Sequence, residues 1–132
     1  MKTILSLTIT MVLTANYAFC QLSKEETLTY INDVYKESFT GNMHPMKLTV
    51  HYQNLVVEYL DHTSSVSLKD SITYVRAEDS LHGTSYWNIV TPKEILLNRI
   101  SSEDNCKRLY KALLHLQEFV RKDTASKDPF AN

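Results

Sequence analysis

The chain has 132 residues, 14 basic and 15 acidic, so it is almost neutral with its histidines uncharged. That balance excludes the strongly basic footprint by which a small domain holds nucleic acid. The length allows one domain with one modest core, and two cysteines, Cys20 and Cys106, are too few for a disulfide scaffold.

The N-terminus reads as a cleavable signal peptide over residues 1–20. Lys2 precedes an apolar run from Ile4 to Leu13 that only Ser6, Thr8 and Thr10 interrupt. A helical membrane span needs about 20 apolar residues, so the run is too short to cross a bilayer and suits the core of an export signal. A cut after Cys20 puts Ala18 and Cys20 where the peptidase wants small side chains and leaves Gln21 at the new N-terminus. Acylation of Cys20 is the rival reading. Tyr17 and Phe19 argue against it, because they stand where a lipoprotein signal has an aliphatic and a small residue. The expectation is therefore an exported protein, periplasmic or extracellular, with no transmembrane segment after cleavage. The expected division is a single domain over 21–122 and a polar tail over 123–132. Processing removes Lys2 and Cys20, leaving a net charge of about −2 and Cys106 as the sole thiol.

Ser23 and Glu26 have the spacing of a capping box, which predicts a helix starting there. Leu28, Ile31, Val34, Tyr35 and Phe39 then recur on one side of that helix, and Gly41-Asn42 should end it. From Lys47 the period changes to two. Leu48, Val50 and Tyr52 are followed, after a phase shift at Gln53-Asn54, by Leu55, Val57 and Tyr59. Two strands over about 46–52 and 55–61 account for that shift. A polar connection around Ser64-Ser65 and Lys69-Asp70 leads to a third strand at 71–76 and a fourth at 85–90 that stops near Pro92. The segment 95–100 fits a short fifth strand or a helical turn. Ser101, Ser102, Glu103 and Asp104 supply capping oxygens for a last helix, in which Cys106, Leu109, Leu113, Leu116 and Val120 form one stripe. On that stripe Cys106 reads as a small hydrophobe rather than a nucleophile. The predicted fold class is α+β: an N-terminal helix, a four- or five-stranded antiparallel meander, and a C-terminal amphipathic helix packed on one sheet face.

The stretch from Arg108 to Leu116, with Asp128-Pro129-Phe130 behind it, resembles the C-terminal helix of short exported bacterial proteins of unassigned function. A sheet closed by one C-terminal amphipathic helix is also similar to pleckstrin-homology-like domains. Neither resemblance implies an active-site residue.

Motifs with a chemical mechanism are sparse. His44, His51, His62, His82 and His115 fall in different elements without a second ligand at helical spacing, so no metal is expected. With only Gly41 and Gly83 the chain has no phosphate-cradling loop, and no cofactor is expected either. Asp61-His62 is the one adjacent acid–histidine pair. Glu58, Asp61, Glu78 and Asp79 are the carboxylates that could meet across neighbouring strands as an acid–base pair. Lys107, Arg108, Lys111, His115 and Lys122 lie opposite the apolar stripe of the last helix and form a basic face that Glu118 interrupts. Tyr52, Tyr59, Tyr74, Tyr86 and Trp87 put aromatic rings on the strands, where an exposed face could bind sugar rings or a protein.

The functional expectation is a noncatalytic binding or interaction module of the bacterial cell envelope. Its contact surface is expected around Tyr52, Tyr59, Tyr74 and Trp87, and its partner is a small ligand, an envelope protein or a second copy of the chain. The alternatives are a small exported hydrolase that uses Glu58 or Asp61 with His51 or His62, and a structural subunit of an envelope assembly.

Overall fold

The computed structural model describes residues 22–127, with side chains described as far as Asp123. The expected signal peptide and the Asp128-Pro129-Phe130 motif lie outside the described residues. The order of elements is α1 (Lys24–Ser38), β1 (Pro45–His51), β2 (Asn54–Tyr59), β3 (Thr63–Ser67), β4 (Thr73–Glu78), β5 (Ser85–Val90), β6 (Ile95–Ile100) and α2 (Glu103–Lys127).

The fold is α+β with a helix at each end, as the periodicities predict, but the strands differ from a four- or five-stranded single meander. There are six, in two antiparallel three-stranded sheets of order β1-β2-β3 and β4-β5-β6. The additional strand is β3, whose sequence Thr-Ser-Ser-Val-Ser carries one large apolar residue. Pairing with β2 makes it a strand: Val66 sits opposite Leu55 and is buried, while Ser65 lies opposite Val56. The segment 95–100 is a strand, β6, and not a helical turn. The last helix continues to Lys127, so residues 123–127 are helical rather than the start of a tail.

Local chemistry sets the boundaries. At the start of α1 the Ser23 hydroxyl accepts from the Glu26 amide at 3.1 Å and the Glu26 carboxylate accepts from the Ser23 amide at 2.8 Å, so both halves of the capping box form. The helix stops at Phe39, whose backbone is extended, before Gly41 is reached. β1 and β2 are joined by the two-residue turn Tyr52-Gln53, one residue earlier than the phase shift suggests. Tyr52 takes φ +55°, a left-handed value that such tight turns require. Ser102 caps the start of α2, its side chain accepting from the Asn105 amide.

One core serves both sheets. α1 and α2 run antiparallel, since Tyr30 meets Arg108 and Lys24 meets Asp123. α1 packs on α2 and β1, and α2 packs on the β4-β5-β6 sheet. Ile31 and Tyr35 of α1, Leu48, Leu55 and Val57 of the first sheet, Ile89, Leu97 and Ile100 of the second, and Cys106, Leu109, Leu113 and Leu116 of α2 are all buried. Cys106 is thus a core residue, and burial pushes its thiol up to about 11, far from a reactive thiolate.

Three polar side chains tie the layers together inside this core. Asn32 on α1 donates to the Leu48 carbonyl at 3.0 Å and accepts from the Leu48 amide at 2.8 Å, acting as an extra strand partner for β1. Tyr35 reaches β6, as described below. On α2 the buried Gln117 amide donates to the carbonyls of Leu68 and Asp70 at 2.9 and 2.8 Å, which fixes the β3–β4 connection on the helix. Replacing Gln117 by Leu keeps the volume but strands two carbonyls away from water, which costs about 1–3 kcal/mol. Urea unfolding of Gln117→Leu is expected to show that loss; a change within a few tenths of a kcal/mol would mean that the connection is not held this way.

Candidate functional site

A cleft of about 530 Å³ opens between the two sheets. Six segments contribute: the α1–β1 loop with Gly41 and Met43, β2 with Tyr59, the β2–β3 turn with His62, β3 with Ser64, the β4–β5 loop with Asp79, Leu81 and His82, and β6 with Ile95, Asn98 and Arg99. Its volume falls in the usual range of small-molecule sites.

Behind the lining residues Tyr59 and Asn98 stands Tyr35, which is completely buried. Its hydroxyl lies 3.0 Å from Asn98 Oδ1 and 3.1 Å from the Asn98 carbonyl, and it accepts from the Asn98 amide at 3.3 Å. The Tyr59 hydroxyl is 3.4 Å away on the cleft side. Burial holds the Tyr35 phenol well above its ordinary range, so it stays a neutral hydrogen-bonding group.

The β6 wall is irregular. Trp87 pairs with Ile100 and Ile89 with Leu97, so Asn98 and Arg99 together face the single residue Asn88. This is a β-bulge, a device that re-aims side chains. Arg99 has φ +55°, its amide donates to Asn88 Oδ1 at 3.0 Å, and its guanidinium lies over the Tyr86 ring, 4.7 Å from the centroid. One Nη contacts Asp79 Oδ2 at 3.4 Å, while the buried Nε has no hydrogen-bond partner among the described residues. Gly41 lets the chain pass close to this wall. A Cβ there would stand 2.4 Å from the Phe39 ring and 3.1 Å from Arg99 Cδ.

Asp79 anchors the opposite loop. Its Oδ1 accepts from the Leu81 amide at 3.0 Å and its Oδ2 lies 3.4 Å from both His82 Nδ1 and Arg99. The Leu81 amide, then His82 and Arg99, favour the charged form and hold this carboxyl below the ordinary 3.8. At the other lip, His62 stacks on Tyr59 with centroids 4.6 Å apart, and its Nδ1 is 2.6 Å from Asp61 Oδ1. The ionised carboxylate can only accept, so Nδ1 carries the proton and Nε2 is the acceptor in the neutral ring. The pair is exposed.

Of the sequence-derived candidates, the cleft gathers Tyr59, His62 and Asp79, with Asp61 behind His62. Glu58 neighbours Tyr59 on β2 and so points to the opposite face, in a row with Lys47 and Thr63. Glu78 is exposed and 3.8 Å from Arg76. The four aromatic residues expected on one contact surface stand apart. Tyr52 is at the β1–β2 turn, 81% exposed and edge-on to His51. It lies at the other end of β2 from Tyr59, about 17 Å along the strand. Tyr74 and Trp87 adjoin each other on the second sheet with ring centroids 6.0 Å apart, and Tyr74 also packs on Tyr110 of α2. They belong to the interface between sheet and helix.

The basic face of α2 is partly engaged within the fold. Arg108 donates to the Tyr30 hydroxyl at 2.9 Å and covers its ring, and His115 Nε2 meets the Leu22 carbonyl at 3.1 Å. Lys107 pairs with Glu103 at 3.2 Å, leaving Lys111 and Lys122 exposed to solvent on that side. His44 packs against Phe39. Among the described residues no cluster of three or more His, Cys, Asp or Glu groups could hold a metal ion, and no helix is long and apolar enough to cross a membrane.

Because the folded Asp79 titrates below its unfolded value, its bonds stabilise the fold above about pH 4, and that contribution is lost as the pH falls through the lower folded value. A carbon-13 titration of the side-chain carboxyls should place the Asp79 midpoint below 3.8, and Asp79→Asn should abolish that part of the acid dependence; a midpoint at or above the ordinary value would contradict the anchoring role.

No family model, curated protein or solved structure matches the chain.

Proposed function

We propose that this chain is a noncatalytic binding module of the bacterial cell envelope and that the cleft between its two sheets receives a small ligand. The observation that carries the reading is convergence: residues from six segments, among them Tyr59, His62, Asp79 and Arg99, line one opening of ligand size. Few precise polar groups with an apolar surround are what a ligand site needs, and Met43, Leu81 and Ile95 supply the surround. Export rests on the charged, apolar and small-residue pattern of residues 2–20. Tyr59 is the member of the expected aromatic set that takes part; the surfaces at Tyr52 and at Tyr74-Trp87 are separate from it.

A second reading, a small exported hydrolase, draws on the Asp61–His62 pair at 2.6 Å, with His62 on the cleft lip. In that arrangement the carboxylate orients the imidazole and leaves Nε2 to take a proton. What favours binding is that Tyr59 and Asn98 are linked through Tyr35, and Arg99 is held by Asn88 and Asp79, whereas no hydroxyl or thiol is hydrogen-bonded to His62 among the described residues.

A screen of small polar and amphiphilic compounds by amide NMR tests the two readings together. Saturable shifts confined to Tyr59, His62, Leu81 and Arg99, with the compound recovered unchanged, are the expected result. Turnover of a bound ester or amide that His62→Ala abolishes would replace the binding reading with the hydrolytic one.

A further inference from the structure

Arg99 concentrates two unfavourable features in the cleft wall. A non-glycine residue with φ +55° carries a backbone cost, and a buried N–H without an acceptor loses a hydrogen bond that water would have given it. Such outliers persist where the surrounding structure imposes them, and they cluster at ligand sites. The bulge at Asn98-Arg99 does the imposing here, because the amide of Arg99 is held by Asn88 and its carbonyl accepts from the Thr40 amide at 2.9 Å.

The guanidinium also has more donors than the protein fills. It carries five N–H groups, and its ionic contact within the fold is the 3.4 Å approach of one Nη to Asp79, longer than the roughly 2.7–2.9 Å of a close charge-assisted bond. Asp79 is itself occupied by the Leu81 amide and His82, so it does not neutralise the guanidinium alone. The side chain keeps about a third of its surface open, with a side-chain exposure of 34%. Its Cζ stands 4.7 Å from the Tyr86 ring centroid, and Arg99 lines the cleft.

Exposed apolar side chains stand among the polar groups that line the cleft with this cation. Leu81 at the tip of the β4–β5 loop is 86% exposed, and Met43 and Ile95 are exposed on two other lining segments. Large apolar side chains held in water at loop tips around one opening gain free energy when an apolar group covers them.

Building on the reading of the cleft as a binding site, we infer that its ligand is a small amphiphilic carboxylate, with its anionic head on the Arg99 guanidinium and its aliphatic part across Leu81, Met43 and Ile95. A planar carboxylate matches the guanidinium fork, and a chain of several carbons reaches the rim from there.

The test uses octanoate, with acetate, octanol and octylammonium as controls, followed by NMR of the Arg99 Nε–H and the Leu81 methyls. Octanoate is expected to shift both groups saturably, acetate to bind at least tenfold more weakly, and octylammonium to leave the Nε–H unmoved. Arg99→Gln should weaken octanoate at least tenfold while leaving octanol unaffected, and Leu81→Ser, a change at an exposed loop tip, should weaken octanoate severalfold at an unchanged melting temperature. Arg99→Lys, which keeps the charge but loses the fork, should fall in between. Equal binding of octanoate and octanol, or octanoate binding that survives Arg99→Gln, would overturn the head-group assignment while leaving the cleft a binding site. If none of the four compounds perturbs any cleft resonance, the carboxylate assignment fails; if the broader compound screen is also silent there, the binding reading fails with it.

Discussion

The buried hydroxyl of Tyr35 touches all the layers that form the cleft. It projects from α1, meets the Tyr59 hydroxyl from the first sheet, and bonds to the amide, carbonyl and side chain of Asn98 in the second. The sheets share no strand, and where α1 ends the chain itself joins the second sheet: the Ser101 amide donates to the Ser38 carbonyl at 2.7 Å and the Thr40 amide to the Arg99 carbonyl at 2.9 Å. α1 is therefore held to β1 by Asn32 and to β6 by Tyr35, only three residues apart on the helix. That short span sets the distance between the sheets at the place where the cleft opens.

Everything distinctive about the cleft follows from this anchoring. The bulge at Asn98-Arg99 lies where Asn98 turns its amide, carbonyl and side chain to this one phenol. The bulge turns Arg99 towards the opening and leaves it with a left-handed backbone. Close packing of Phe39 and Arg99 around Gly41 leaves no space for a Cβ on the loop that crosses this wall. The surface ion pairs, such as Lys24–Asp123, add about 1 kcal/mol at most. The polar bonds inside the core matter more, because breaking one there strands a partner away from water.

Much of the fold was legible in the residues. The capping box at Ser23 and Glu26, the stripe from Cys106 to Val120, and the period-two stretches at β1, β2 and β5 each have a local cause; the box, the stripe and β5 formed where the pattern places them, and β1 and β2 with the turn one residue earlier. β3 was not legible, because serine-rich segments favour turns by local propensity and Thr63–Ser67 becomes a strand only by pairing with β2. The division into two sheets was hidden for a related reason: it depends on which strands pair. Within the cleft, Tyr59, His62 and Asp79 had been singled out by residue type, but Arg99 had not. Its signal was the broken alternation of Leu96-Leu97-Asn98-Arg99, two apolar residues and then two polar ones, which marks a bulged strand and reads equally well as a helical turn. Tyr35 was read as a core residue of α1, and nothing in the sequence tells which polar group its hydroxyl meets 63 residues away.

Tyr35→Phe removes a single oxygen and keeps the ring, so it isolates the bridging hydroxyl. Hydrogen exchange together with urea unfolding of this variant tests the central claim most directly. If the hydroxyl holds the sheets at the cleft, stability falls by about 1–3 kcal/mol, and the Asn98 amide, whose acceptor is that oxygen, loses its protection while the Leu113 amide on α2 keeps its place as a late exchanger. Unchanged stability with Asn98 still protected would contradict it, and would mean that the helices alone set the spacing of the sheets.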